Sequence, residues 1–238
     1  MIILVTGGAS GLGETITRAL AAEATSKVYF TYNESKEQAD IIMAECPNAL
    51  AIKCNFREMN DVSSLVDQMP DIDVLINNAY CGTFIDTYFH KTNNHSFLAA
   101  FKDNIIPTIE ITRQAINIFR KKKSGKIITI LTSAIINVPP TGAAVYTANK
   151  AYLSQMSKVW ATENIKYNIT SNTVSPSFML TNFTNRTDER IVEQMKDNHP
   201  LKKLLTTQEV ADAVFFLAKS SNQINGIDLI INAGLNIK

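Results

Sequence analysis

Thr6-Gly7-Gly8-Ala9-Ser10-Gly11-Leu12-Gly13 separates an apolar run, Ile2-Ile3-Leu4-Val5, from a stretch with helical spacing over residues 12–24. A short apolar run closed by a glycine-rich turn reads as a buried strand. Glycine reaches positive φ and lets a ligand come close to the backbone. The first N–H groups of the following helix have no partner within it, and with the helix dipole they favour an anion. In a βαβ unit that anion is commonly a dinucleotide pyrophosphate. Thr6, Gly7, Ser10, Gly11, Leu12 and Gly13 are therefore expected to cradle a dinucleotide cofactor.

Strand and helix patterns alternate along the rest of the chain. Strands are expected at 27–32, 49–54, 73–76, 126–132, 169–174 and 227–231. Helices are expected at 35–45, 60–69, 94–101, 104–122, 145–164 and 207–219. That alternation predicts an α/β fold, a Rossmann-like doubly wound sheet of about seven mostly parallel strands with helices on both faces. The largely apolar fifth strand, with Ile127, Ile128, Ile130 and Leu131, suits a parallel sheet buried on both sides. Ile105, Ile109, Thr112, Ile116 and Phe119 share one helical face. No linker or shift in composition divides residues 1–238, so a single domain is expected. Residues 177–200 are more polar and less periodic, and read as a loop with a short helix that closes over a substrate.

The 238 residues are 45% apolar and 19% charged, with a net charge of +1. Such balance excludes a strong pull toward nucleic acid or membrane. Lys121-Lys122-Lys123 reads as a solvated helix end, and Gly125 as the stop that follows it. No apolar run reaches membrane-spanning length and no leader precedes the first strand, so a cytoplasmic protein is expected. Cys46, Cys54 and Cys81 lack metal spacing and read as reduced thiols. His90, His95 and His199 show no ligand pattern, and no metal is expected.

Tyr146 and Lys150 are four residues apart in a helical stretch, hence on one face. An isolated tyrosine has a pKa near about 10. An ammonium one turn away favours the phenolate and is expected to lower that value, which suits proton transfer near neutral pH. Ser133 ends the fifth strand, where ligands of open α/β sheets bind. Its hydroxyl can donate to a carbonyl oxygen; a turn or capping role fits it equally. Asn104 opens a long helix, as an N-cap would.

Taken together, Thr6-Gly7-x-x-x-Gly11-x-Gly13, Asn77-Asn78-Ala79, Ser133, Tyr146 and Lys150 resemble the short-chain dehydrogenase/reductase family. Within it, Tyr32-Asn33, Val145-Tyr146 and Glu209-Val210-Ala211 look closest to the 3-oxoacyl-(acyl-carrier-protein) reductases. The resemblance implies reduction of a small-molecule or acyl-carrier-linked carbonyl compound with hydride from a nicotinamide cofactor. Tyr146 would be the acid, Lys150 would hold the nicotinamide ribose, Ser133 would polarise the carbonyl, and Asn104 would join a proton relay through water. Further implied cofactor contacts are Asn78, Ala79, Pro176 and Thr181 at the nicotinamide end and Asn55 and Phe56 at the adenine.

Tyr32 stands where NAD-binding relatives carry an acid. Asn33, Ser35 and Lys36 follow, and these can receive a 2′-phosphate, so NADP(H) is favoured over NAD(H). Glu34 close by, and Ser10 where many NADP-using relatives carry Arg, weigh the other way. Lys36 also reads as an ordinary surface lysine. Tyr80 and Ser177 replace family glycines. Family membership implies a homodimer or homotetramer. An NAD-linked alcohol or sugar dehydrogenase and a non-catalytic dinucleotide-binding protein are the alternatives.

Overall fold

The protein is described by a computed structural model covering residues 1–68, 71–185, 187–235 and 237. Seven parallel strands form one sheet: β1 (Ile2–Val5), β2 (Lys27–Tyr32), β3 (Ala49–Lys53), β4 (Val74–Asn77), β5 (Gly125–Ile130), β6 (Ile169–Pro176) and β7 (Asp228–Ile231). Their order across the sheet is β3-β2-β1-β4-β5-β6-β7. The order reverses between β1 and β4, and such a switch point opens a crevice at the strands' C-terminal ends.

The apolar strands alternate between two cores. Ile3 and Val5 face one side with Phe30, Ile76 and Ile128. Leu4 faces the other with Leu75 and Ile127. This period of two is what a strand buried on both faces requires. The first side is covered by α1 (Gly11–Ala21), α2 (Lys36–Glu45) and α8 (Thr207–Lys219), through Ile16, Leu20, Ile42, Val210, Val214 and Leu217. The second is covered by α3 (Met59–Leu65), α5 (Ile106–Lys122) and α6 (Ala144–Asn164), through Val62, Leu65, Ile111, Phe119, Leu153 and Trp160. Each such fully buried aliphatic or aromatic side chain contributes about 1.5–3 kcal/mol relative to an exposed one.

The helix ends have local causes. Thr206 caps α8 in a reciprocal box with Glu209. The Thr206 N–H, Lys203 and the Thr206 hydroxyl hold the Glu209 carboxyl at about 2. α5 ends on Lys123 in the left-handed region (φ 53°), not at Gly125. Gly125 belongs to β5, where an added Cβ would lie 2.1 Å from the Phe119 ring. Lys122 is not merely solvated: its ammonium reaches Asp71 at 2.9 Å and Asp73 at 2.6 Å, tying the end of α5 to the entry of β4.

Element boundaries agree with the sequence reading to within three residues except at the end of the helix expected at 60–69, as frayed and capped termini do. The helix expected at 60–69 is α3 followed by a 3-10 turn, Val66–Gln68; its last expected residue lies outside the described ones. The expected pair at 94–101 and 104–122 is one continuous rod. α4 (Asn94–Ala100) runs through a π turn, Phe101–Ile105, into α5. Residues 177–200 contain α7 (Glu189–Asn198), capped by the Asp188 side chain on the Arg190 N–H. No helix among the described residues is long and apolar enough to cross a membrane.

Candidate active site

A cleft of about 950 Å³ opens at the switch point. Its wall includes Gly7, Ser10, Gly11, Leu12 and Gly13 from the turn after β1, Asn78 and Ala79 after β4, Ser133 after β5, Tyr146 and Lys150 from α6, and Pro176 and Thr181 at and beyond the end of β6. The residues expected to meet therefore do so, although they come from five separate segments. Thr6, Lys36 and Asn104 stand outside the wall.

The turn is built for close backbone approach. Gly7 has φ 65° and Gly11 has φ 52°, where only glycine sits without strain. A Cβ on Gly13 would lie 2.0 Å from the Gly7 carbonyl oxygen. Thr6 is buried beneath the turn and acts as its brace. Its hydroxyl donates to the Ile76 carbonyl and accepts from the N–H groups of Asn78 and Ala79. The Asn78 amide donates back to the carbonyls of Thr6 and Gly7. Ser10 stands at the α1 N-cap position with extended backbone, but its side chain makes no capping bond. That leaves its hydroxyl and the first N–H groups of α1 facing the cleft, a donor set that fits a pyrophosphate.

Tyr146 is buried among aromatic rings. Tyr80 meets it edge-on at 5.1 Å, Phe84 edge-on at 5.2 Å, and Phe183 at 5.7 Å. Burial pushes the Tyr146 phenol well above its ordinary value, and a hydrogen bond with the Thr132 side chain opposes the shift only in part. The expected lowering by Lys150 is therefore corrected: burial sets the direction, and Lys150 is not among the groups that shift the phenol. The Lys150 ammonium is itself spent on the Ile130 carbonyl at 2.8 Å and lies 5.7 Å from the Tyr146 ring centre. Burial lowers its own pKa from 10.5 to about 8.

A buried cation costs stability, and this one does so over a defined pH range. Between about 8 and 10.5 the unfolded chain binds a proton at Lys150 that the folded chain does not, so stability rises with pH there. Lys150→Met is expected to leave the melting temperature at pH 7 equal or higher and to flatten that rise, since an apolar replacement removes the desolvation penalty. Thermal melts of both proteins from pH 7 to 10.5 measure it. A marked drop at pH 7 would show that the bond to Ile130 outweighs the penalty.

Tyr80, in place of the family glycine, lines the cleft beside Tyr146. Its ring also lies against Phe183 at 5.7 Å and under the Lys150 ammonium at 5.2 Å. Its hydroxyl accepts from the Asn149 amide at 3.4 Å, and burial pushes its pKa to about 12.

Asn104 is not an N-cap. It sits in the π turn, buried, and its side chain grips the neighbouring loop: Oδ1 accepts from the Cys81 N–H at 2.6 Å, and Nδ2 donates to the carbonyls of Cys81 and Ala100. It thereby fixes the segment that carries Tyr80.

At the opposite end of the cleft stand Tyr32, Asn33, Glu34, Ser35, Asn55 and Phe56. Lys36 instead turns along α2 to pair with Asp40 at 2.6 Å. Arg57, which sequence reasoning passed over, lines this end and is anchored through Nε to Asp103 at 2.8 Å. Asn137 and His199 were missed as well, and both line the cleft. Isolated polar residues in loops or at helix ends carry no periodic signal, so only the fold reveals them.

The family model described as enoyl-(acyl carrier protein) reductase matches residues 7–236. A 3-oxoacyl-(acyl-carrier-protein) reductase from Staphylococcus epidermidis is 29% identical, covering 98% of this chain and 97% of its own. A 2,3-dihydro-2,3-dihydroxybenzoate dehydrogenase from Bacillus subtilis is 28% identical over 99% and 96%. A solved short chain dehydrogenase/reductase family protein superposes with a TM-score of 0.89 at 27% identity, covering 100% of this chain and 98% of its own. A family match running nearly from end to end, on a sheet of this order, makes the chain a member of the short-chain dehydrogenase/reductase family and an NAD(P)-dependent oxidoreductase.

Proposed function

We propose that this chain reduces the ketone of a 3-oxoacyl thioester, or a similar ketone, with NADPH, and that Tyr146 is the proton donor. The observation that carries the reading is the buried Tyr146 phenol, held neutral in a cleft shared with the glycine turn and Ser133. A reduction needs an acid that still carries its proton at neutral pH, and burial keeps it there. Bound along the cleft, the reduced dinucleotide supplies the hydride.

Gly7, Ser10, Gly11, Leu12 and Gly13 hold the pyrophosphate through N–H groups and the Ser10 hydroxyl. Asn55 and Phe56 receive the adenine. Asn78, Ala79, Pro176 and Thr181 flank the nicotinamide end. The Ser133 hydroxyl donates to the substrate carbonyl oxygen and holds it against Tyr146. The Tyr146 O–H passes its proton to that oxygen, and the Lys150 ammonium then steadies the phenolate. Asn104 acts through Cys81 by fixing the loop below the site. Residues 177–200 form the substrate lid of one nucleotide-binding and catalytic domain. A homodimer or homotetramer in the cytoplasm completes the reading.

The names of relatives such as the Staphylococcus epidermidis reductase support the acyl-carrier-linked substrate. Asn33, Ser35 and Arg57 along one end of the cleft support NADPH. A second reading, an NAD-linked dehydrogenase, is favoured by two facts. Glu34 lies in the same wall, and Lys36 is paired away from it. Following dinucleotide oxidation with the acetoacetyl thioester of N-acetylcysteamine separates them. NADPH is expected to exceed NADH in kcat/KM by about tenfold or more, the worth of charge-assisted bonds to the extra phosphate. A preference for NADH would select the dehydrogenase reading. Tight binding of either dinucleotide without turnover on any ketone would leave a non-catalytic binder.

A further inference from the structure

Tyr80 stands where the family pattern has a glycine, and its side chain meets one face of α6 at three points. It lies edge to face with the Tyr146 ring at 5.1 Å. Its hydroxyl accepts from the Asn149 amide at 3.4 Å. Its ring carries the Lys150 ammonium above it, 5.2 Å from the centre. Residues 146, 149 and 150 are spaced i, i+3 and i+4, so they share a helical face. The other end of Tyr80 is fixed as well, because Asn104 grips the main chain of Cys81 beside it. Tyr80 is thus a strut from the end of β4 to the helix that carries the acid.

Lys150 is the group that gains most from this strut. Its side chain is buried, and an ammonium has three N–H donors to satisfy. The Ile130 carbonyl of β5 takes one of them. The titratable side chains that face the ammonium are Tyr146 on its own helix and Tyr80 from the loop after β4. Asp103, in the rod beside α6, is tied to Arg57. Among the described residues of the cleft wall the one carboxylate is Glu34, which stands with Tyr32 and Asn55 at the opposite end. Cys54 and Cys81 line the same wall, and burial pushes both thiols up, so they bring no charge at neutral pH. His199 stands at the end of α7. The buried cation therefore has ring faces where a carboxylate would be expected, and the Tyr80 face is nearer than that of Tyr146, at 5.2 Å against 5.7 Å. A cation within about 6 Å of an aromatic face is attracted by the ring quadrupole, and more strongly out of water.

We infer that Tyr80 is a positioning residue whose ring face keeps the Lys150 ammonium charged and in place beside Tyr146. The inference rests on the ketone-reductase reading above, in which that cation steadies the phenolate once the proton has gone to the substrate. A glycine offers no such face. The sign of its effect is defined. Burial alone lowers Lys150 from 10.5 to about 8, and the ring works against that fall. Removing the face lowers the value further, whereas letting water in raises it.

Two substitutions separate the ring from the space it fills. Tyr80→Phe keeps the face and drops the hydroxyl. Tyr80→Leu keeps apolar bulk and drops the face, and Tyr80→Met serves as a second variant without a ring should Leu unfold the chain. An NMR titration of the protein labelled with carbon-13 at the lysine ε position, without dinucleotide, reads the ammonium directly; the Lys150 signal is the one lost in Lys150→Met. The pH profile of kcat/KM for the acetoacetyl thioester of N-acetylcysteamine, at saturating NADPH, reads the consequence. The wild type is expected to titrate at about 8. Phe is expected within about 0.3 pH unit of it and Leu about 0.5–1 pH unit lower, with the alkaline limb of kcat/KM moving down by the same amount. A Leu titration that stays in place overturns the inference. One that rises overturns it too, since the ring would then act by excluding water. A Phe shift as large as that of Leu overturns it by giving the effect to the hydroxyl. An ammonium that shifts under an unmoved limb overturns the link to the reaction. A wild type that does not reduce the thioester overturns the reductase reading, and the NMR titration still decides whether Tyr80 holds Lys150 charged.

Discussion

Tyr146→Phe is expected to lower turnover by about 10²–10⁴-fold, the range for loss of a general acid, while the dissociation constant for NADPH moves less than about threefold. The split follows from what the ring and the hydroxyl each do. The ring packs against Tyr80, Phe84 and Phe183, and all three contacts survive in phenylalanine. The hydroxyl makes a bond with Thr132 and holds the proton that the reaction consumes. Removing it leaves the wall of the cleft in shape and empties it of its acid. Steady-state NADPH oxidation and a fluorescence titration of NADPH measure the two quantities. Turnover within threefold of the wild type would remove Tyr146 from the role assigned to it.

Gly13→Ala is expected to weaken dinucleotide binding by at least about a hundredfold and to cost stability on the order of 1–3 kcal/mol or more, as overpacking a fixed site does. Its Cβ would lie 2.0 Å from the Gly7 carbonyl oxygen and 2.6 Å from the Asn78 side-chain nitrogen. Neither can yield cheaply. The Gly7 carbonyl belongs to the turn itself, and the Asn78 amide is bonded to the carbonyls of Thr6 and Gly7. The methyl group therefore pries α1 away from the end of β4, where the phosphates are to sit. Gly11→Ala serves as the comparison. Its Cβ meets only Thr181, at 3.4 Å, so its cost is mainly that of the left-handed backbone, about 1–2 kcal/mol. Thermal melts and NADPH titrations of both variants check the contrast. A Gly13→Ala protein with unchanged melting temperature and affinity would mean that the turn has room which the backbone does not display.

The sheet was legible because its cause is local. Ile2-Ile3-Leu4-Val5 is apolar without a break and residues 127–131 are apolar but for Thr129, and a parallel strand covered on both faces favours that. The glycine turn, Ser133, Tyr146 and Lys150 were legible through spacing. What escaped notice depends on contacts far apart in sequence. Asn104 was expected as a helix cap, and nothing in residues 101–105 signals a π turn that hands its amide to Cys81. The sign of the Tyr146 shift was misjudged because neighbours at i+4 are visible in a sequence while the depth of burial is not. Lys36 was read both as a 2′-phosphate contact and as an ordinary surface lysine, and it pairs with Asp40 one turn later. Arg57 went unnoticed because its approach to the cleft depends on an anchor at Asp103, in a different element.

The π turn has one more result. A helix advances about 100° per residue, and a π turn holds one residue more than the turn it replaces. The rod on either side is therefore out of phase by about that angle. α5 lays Ile111, Ala115 and Phe119 onto the sheet, whereas α4 has no buried residue and leaves Leu98 in solvent. Without the extra residue, a single regular helix would carry one apolar stripe along its whole length. With it, the outward residues of α4 can drift in sequence while the sheet keeps its packing and Asn104 keeps its grip on the loop beneath the site.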